Sequence, residues 1–308
     1  MTLSSCNVCG EALEPLFPEV RDPLTKELFS INKCRRCGLG HTVPQPLDMG
    51  RYYREPYYGG RHAFTLRHCN ARRLGFIAAA CAARKGRLLD IGCGDGSFLL
   101  AAREQGWEVM GTELEPQHAR DAGLDVRESI EQVPATRLFD CITMWHTLEH
   151  MRDIPGLLAR VSPLLAPDGR LLIAVPDAGG LQAKIFGPRW LHLDVPRHLF
   201  HFDAESLRTA LHRAGFSIER RWHQEFEYDL LGWAHSALDC VLPVPNAFYN
   251  VLTGKHTSEG FIVRASSLLL GSLASALSLP LLIAGTALGR GGTLIVAATR
   301  RDPRESVS

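Results

Sequence analysis

The sequence carries no surplus of charge of either sign: 34 Lys and Arg stand against 33 Asp and Glu, a formal net charge of +1. A chain that held nucleic acid by bulk charge would be basic, so that class of partner is not expected. Residues 1–10 contain neither a basic stretch nor an apolar one, and no signal peptide is expected. Internal repeats and long low-complexity runs are also missing. What is there is ordinary for a globular protein: 308 residues, 45% hydrophobic and 22% charged, enough for one large core and a smaller module. The nine cysteines are an odd number, and four of them form two CxxC pairs. Without an export signal this favours metal binding over disulfides and a reducing, cytoplasmic setting.

Cys6-Asn-Val-Cys9 and Cys34-Arg-Arg-Cys37 each bend two thiolates toward one point. Two such knuckles make a tetrahedral four-sulfur site, which suits zinc because that ion accepts the geometry and has no redox chemistry. Gly10 and Gly38 follow the second cysteine of each pair, where a knuckle turn calls for positive φ. The stretch 11–33 is too short for a core of its own, so the metal is expected to hold it together. With all four ligands from protein, the ion is expected to be structural. The spacing resembles a zinc ribbon, placed at 1–48.

Residues 49–86 read as an aromatic linker, with four tyrosines in 51–60, followed by a helix over 66–83. The linker either ties ribbon to core or forms a flap over a cofactor. Next, 87–91 is a short apolar strand running into Gly92-Cys-Gly94-Asp-Gly96, with a helix over 97–105. A strand, a glycine turn and a helix N-terminus make a nucleotide cradle. A second strand, 107–113, ends in Glu113, where a carboxylate accepts both ribose hydroxyls of an adenosine. Further strands are expected at 125–127, 139–145 and 171–175, helices at 153–165 and 203–214, and a turn at 167–170. Alternating units of this length imply an α/β fold with a parallel, doubly wound sheet.

Leu88-Leu-Asp90-Ile-Gly92-Cys-Gly94-Asp-Gly96, Gly111-Thr-Glu113, Phe139-Asp-Cys-Ile142, Leu148-Glu-His150 and Pro167-Asp-Gly-Arg170 together resemble the motif series of class I S-adenosylmethionine-dependent methyltransferases. The resemblance covers roughly residues 50–300. It implies a seven-stranded, mainly parallel sheet whose last two strands, 217–227 and 293–299, form an antiparallel pair. It also implies that Asp90, Gly92, Gly94 and Gly96 surround the methionine part of the cofactor, that Glu113 holds the ribose, and that Leu114 and Met144 complete the cofactor site. The core is then 87–229, an apolar helical insert or substrate cap is 230–292, and the last strand and tail are 293–308.

Acceptor chemistry is expected at the end of the fourth strand, Trp145-His146-Thr-Leu-Glu149-His150. His146-x-x-Glu149-His150 also matches a zinc-protease motif, but it follows a strand of the methyltransferase series rather than lying on a long helix. Quinone O-methyltransferases resemble this stretch in carrying an acid-acid-His cluster that binds a divalent ion, although here the first position is His146. The remaining readings are His146 or His150 as general base, or Glu149 and His150 as caps of the next helix. In the loop 190–202, His198 lies in a Pro-Arg-His-Leu run that the same family carries, and is expected to face substrate. The alternative is a loop tied down by Arg197 to nearby acids.

Arg264 and Arg290 bracket 25 uncharged residues. A single membrane crossing is excluded, because the flanking strands must share one sheet. Gly271 and Pro280 favour a bent pair of helices lying in the membrane interface or packed on the core. The expected reading is an enzyme that methylates a small-molecule or lipid-linked acceptor at a hydroxyl. It would be cytoplasmic, with peripheral contact to the inner membrane face through 265–289. Enzymes that resemble it in this ribbon-plus-core arrangement modify sugars and cell-surface glycans. Carbon or nitrogen acceptors are the first alternative. A nucleic-acid-modifying or binding ribbon protein, supported locally by Lys33, Arg35 and Arg36, is the second.

Overall fold

The computed structural model describes residues 4–53, 63–81, 85–241, 248, 251 and 261–301. The chain divides into two compact units, each assembled from separate segments: Met1–Thr65, Pro176–Ser206 and His223–Leu294 in the first, Leu66–Val175, Leu207–Trp222 and Ile295–Ser308 in the second.

The first unit holds a small sheet. Strands β1 (Leu13–Arg21), β2 (Leu28–Cys34), β3 (Gly40–Val43) and β9 (Phe200–His201) follow one another in that order, each pair antiparallel. The 11–33 stretch therefore does find a core, but not of its own making. Val20, Phe29, Ile31 and Tyr52 pack with Trp190, Leu193 and Val195 from a distant part of the sequence. Most of the tyrosine-rich linker, including Tyr57 and Tyr58, lies outside the described residues. Tyr52 is buried, and its hydroxyl donates to Glu27. Arg197 joins the pieces: its guanidinium is 1% exposed and donates to Asp194 Oδ1 at 2.6 Å and Asp22 Oδ1 at 3.0 Å.

The second unit carries β4 (Arg87–Ile91), β5 (Glu108–Thr112), β6 (Val126–Arg127), β7 (Phe139–Trp145), β8 (Leu165–Pro176), β10 (Phe216–Trp222) and β11 (Thr293–Arg300). Their order is β10-β11-β8-β7-β4-β5-β6. Pairs β4–β5, β4–β7, β5–β6 and β7–β8 are parallel and β10–β11 is antiparallel. The order in which strands join the sheet reverses between the parallel neighbours β4 and β7, so their carboxyl ends open the crevice where ligands of such sheets bind. Helices α1 (Ala63–Ala80), α2 (Ser97–Glu104), α3 (Gln117–Asp121), α4 (Ile154–Leu164) and α6 (Ala204–Arg213) accompany the strands. The cap of α4 is Asp153, whose carboxylate accepts from the Gly156 N–H; Asp203 serves α6 through the Ser206 N–H.

Three expectations need correction. The turn at 167–170 is part of β8: Leu165 pairs with Phe139 and Arg170 with Cys141, so the extra residues are absorbed as a bulge rather than ending the strand. The sixth strand stops at Trp222, not 227, because the chain turns into α7 (Phe226–Val241), whose buried face runs through Asp229, Trp233 and Ser236. The apolar insert is not a bent pair of helices. Residues Phe261–Ala287 form one helix, here α8, with Pro280 inside it. A proline removes one donor, here toward the Ala276 carbonyl, and leucine and alanine on both sides carry the helix past it. The first unit also contains a short α5 (Leu181–Phe186), and α8 packs on α7.

Candidate active site

At the end of β4 the three glycines of the turn all have positive φ, 75°, 55° and 77° at Gly92, Gly94 and Gly96. A side chain would be strained at each, yet only one faces open space. A Cβ on Gly92 would lie 2.6 Å from the Thr147 side chain and one on Gly96 would strike Leu124, whereas a Cβ on Gly94 meets nothing within 4 Å. Gly94 leaves room for a bound molecule to approach the backbone closely, room that any larger residue would fill. Glu113, just past β5, closes the other side. Its Oε2 accepts from the Gly94 N–H and its Oε1 from the Leu114 N–H, each at 2.8 Å, and Leu114 stands 85% exposed beside it.

Asp90 is buried at the end of β4 and accepts from Thr143 Oγ at 2.6 Å. Burial pushes its carboxyl up to about 7, against the opposing pull of the Thr143 hydroxyl and the Arg73 charge. Met144, next to Thr143 on β7, is fully buried. These residues fit the methionine and adenosine ends of S-adenosylmethionine: an acid under the turn, an open glycine, a second acid at the neighbouring strand end, and an exposed leucine beside it.

The carboxyl end of β7 delivers His146, held at φ 53° with its N–H on the Ala174 carbonyl at 2.9 Å. Its Nδ1 lies 3.6 Å from Oε1 of Glu149, which is 1% exposed. His150 closes the 3-10 turn Leu148–His150, donating its N–H to the Thr147 carbonyl. Thr147, between His146 and that turn, is the residue that abuts Gly92. His198 belongs to the first unit, where its Nδ1 is 2.8 Å from the His192 carbonyl and its own carbonyl accepts from Thr42. In that loop the Arg197 ion pairs supply the tether to nearby acids. Asp177, also in the first unit, is buried directly after β8 and is pushed up to about 7, chiefly by burial and further by Asp203.

The four cysteine sulfurs converge within 4.8 Å of one another. Cys6 and Cys37 Sγ are 3.6 Å apart and Cys9 and Cys34 Sγ 3.4 Å apart. A tetrahedral site with metal–sulfur bonds of 2.3 Å places its sulfurs about 3.8 Å apart, so the set fits zinc. The hydrogen bond between Cys6 and Cys37 pulls the Cys6 thiol down and pushes the Cys37 thiol up, so without an ion the two sulfurs share one proton. Gly10 and Gly38 have φ of 77° and 81°.

Two contributors carry no motif in the sequence. His41 on β3 accepts from the Asn7 N–H through Nε2 and lies 3.0 Å from the Leu39 carbonyl through Nδ1, bracing the first knuckle. Arg73, buried on α1, stacks 5.0 Å from the centre of the Trp145 ring and brings a positive charge to Asp90. Only the apolar composition of α1 is legible in the sequence, and nothing there marks Arg73 out from Arg67 and Arg72 on the same helix.

A family described as a methyltransferase domain matches residues 62–220. Ubiquinone biosynthesis O-methyltransferase of Xanthomonas axonopodis pv. citri (strain 306) is 26% identical over 172 residues, covering 50% of this chain and 72% of the relative. The protein of the same name from Xanthomonas campestris pv. campestris (strain B100) is 28% identical over 151 residues, covering 44% and 63%. This chain thus spans about two thirds of those relatives' length. Among solved structures, a SAM-dependent methyltransferase from Archaeoglobus fulgidus superposes with a TM-score of 0.48 at 18% identity, covering 82% of this chain and 99% of the other. The four-cysteine cluster lies outside the matched family region.

Proposed function

The chain belongs to the methyltransferase-domain family and is a class I S-adenosylmethionine-dependent methyltransferase, and on that premise we propose that it methylates a hydroxyl of a small-molecule or lipid-linked acceptor, with His146 as general base. The observation that carries this reading is the His146–Glu149 pair, 3.6 Å apart, one residue from the side chain that abuts Gly92. The relatives' names, which specify O-methylation, support the hydroxyl. The uncharged 265–289 segment supports a lipid-linked acceptor.

In this reading Asp90, Gly92, Gly94, Gly96, Glu113, Leu114 and Met144 hold the cofactor, which supplies a methyl group already activated on a sulfonium. The protein then has three tasks: to align the acceptor oxygen, to exclude water and to receive one proton. With the cofactor bound, His146 Nε2 would receive the acceptor's hydroxyl proton, and the electron pair of the broken carbon–sulfur bond would stay on the cofactor sulfur. His146 Nδ1 faces Glu149, whose carboxylate orients the ring and stabilises the imidazolium. Cys6, Cys9, Cys34 and Cys37 hold one structural zinc ion; four protein ligands leave no open position for substrate.

A carbon or nitrogen acceptor already deprotonated would not need this base, so one variant separates the readings. His146→Ala is expected to slow methyl transfer from labelled cofactor into a membrane-lipid extract by about 10²–10⁴ while cofactor affinity is kept. A loss of less than tenfold would remove His146 from the chemistry.

A further inference from the structure

Helix α8 is built inside out. Taking 100° per residue, the side packed toward the rest of its unit runs through Ser267, Gly271, Ala274, Ser275, Ser278 and Leu282, five of the six being small. On the other side Leu268, Leu279, Ile283, Leu269, Leu273, Leu277, Leu270 and Leu281 spread over an arc of about 220°, with Ser266 and Ser272 exposed among them. Every one of these is exposed, Leu269 at 72% and Leu277 at 68%. A helix facing water puts its leucines inward and its serines outward. The reverse arrangement is that of helices packed on one another in hydrocarbon, where small residues let backbones approach and large apolar ones meet lipid tails.

The inward side bears this out. A Cβ on Gly271 would collide with the Phe248 ring, so glycine permits the close approach there. Ser275 donates to the Gly271 carbonyl at 2.8 Å, Ser278 to Ala274 at 2.7 Å and Thr286 to Leu282 at 2.9 Å. These hydroxyls are satisfied by their own helix and need no water. Exposed cations stand only at the ends, Arg264 and Arg290, with 25 uncharged residues between them. A second helix laid against α8 would cover an arc of about 100°, less than half of the leucine face.

We propose that the leucine face of α8 is immersed in the hydrocarbon of one membrane leaflet, with the helix lying in the membrane plane. Length alone would allow a crossing: 27 residues span about 40 Å, and within Arg264–Ala287 an 18-residue stretch reaches a mean hydropathy of 2.0. Connectivity forbids it. The Asp229 carboxylate near the start of α7 accepts from the Gly292 N–H and the Thr293 hydroxyl just beyond α8, so the segment leaves and returns at one point. A crossing would need a second span, and α7 has 16 residues, about 24 Å, with Glu227, Asp229, His235 and Asp239 along it. Residues 242–260 include two prolines, Lys255, His256 and Glu259. With α7 on its protein side, α8 meets lipid around the rest of its circumference, and both end arginines reach the headgroups at one depth.

The test uses the full-length protein and vesicles of neutral phosphatidylcholine containing no acceptor, so its outcome is independent of the methyl-transfer reading. Wild type is expected to sediment with the vesicles at both low and high salt. Leu269→Ser, Leu273→Ser and Leu277→Ser combined should weaken partitioning by at least about 100-fold, with cofactor binding and melting temperature unchanged. Tryptophan placed singly at 269, 277 and 283 should be quenched to the same extent by phospholipids brominated at one chain depth. Absence of wild-type binding would overturn the proposal, as would binding only to anionic vesicles at low salt. Deeper quenching at 277 than at 269 and 283 would show a crossing helix. A stable dimer that the triple variant dissociates would show that a second copy covers the face.

Discussion

The Glu113 carboxylate is hydrogen-bonded to the backbone of Gly94, Oε2 to N–H at 2.8 Å. The acid assigned to the ribose is thus also the tether of the glycine turn assigned to the rest of the cofactor. Glu113→Ala removes both functions and is expected to lower cofactor affinity by roughly 10–150-fold. Glu113→Gln keeps one acceptor oxygen for the turn and should lose less. Gly94→Val fills the open space above the turn and should abolish measurable binding. Calorimetry reads all three, and unchanged affinity in the Ala and Val variants would mean that another part of the sheet holds the cofactor.

Asp90 makes the cofactor-free protein sensitive to pH in an unusual direction. Burial raises its carboxyl from 3.8 to about 7, so the folded protein keeps a proton that the unfolded chain releases above pH 4 or so. Folded-state stability therefore falls as pH rises from about 4 to about 7, by roughly 4 kcal/mol, and the cost is complete above that window. Asp177 titrates in the same direction, so Asp90→Asn should flatten the curve only in part. Thermal melts across pH should show Asp90→Asn more stable than wild type at pH 8 and equal to it at pH 4, with cofactor affinity lost.

Zinc analysis of the purified protein is expected to give about one ion per chain. Cys34→Ser should lose it. Stripping the metal with a strong chelator should lower the melting temperature of the first unit, because β2 ends in Cys34 and has little apolar core of its own. A protein without zinc, or a Cys34→Ser variant that retains a full equivalent, contradicts the assignment.

Arg197 neutralises two acids in the interior. Arg197→Ala leaves Asp22, which is wholly buried, and Asp194 without their cation. The expected cost is about 3–5 kcal/mol. Replacing all three, with Asp22→Asn and Asp194→Asn added, should recover much of it. Denaturant titration decides this; an Arg197→Ala midpoint equal to wild type would mean the ion pairs contribute nothing.

The sequence by itself determined whatever depends on neighbours a few residues away. Strands 87–91 and 139–145 end where their apolar runs end, Asp153 and Asp203 cap the helices that follow them, and the CxxC spacing brings each pair of thiols to one point. Backbone sterics, capping and knuckle geometry act over one turn, and a single sequence contains them. Only the tertiary structure decided the rest. The strand Phe200–His201 pairs with β3 from some 160 positions away, and Arg197 reaches Asp22 across a similar distance. Residues 167–170 read as a turn, but their pairing with β7 drew them into a strand. In α8 the composition showed how apolar the segment is and not which side faces outward. That depended on where α7 and Phe248 lie, because they take up the glycine and serine face and leave the leucines outside.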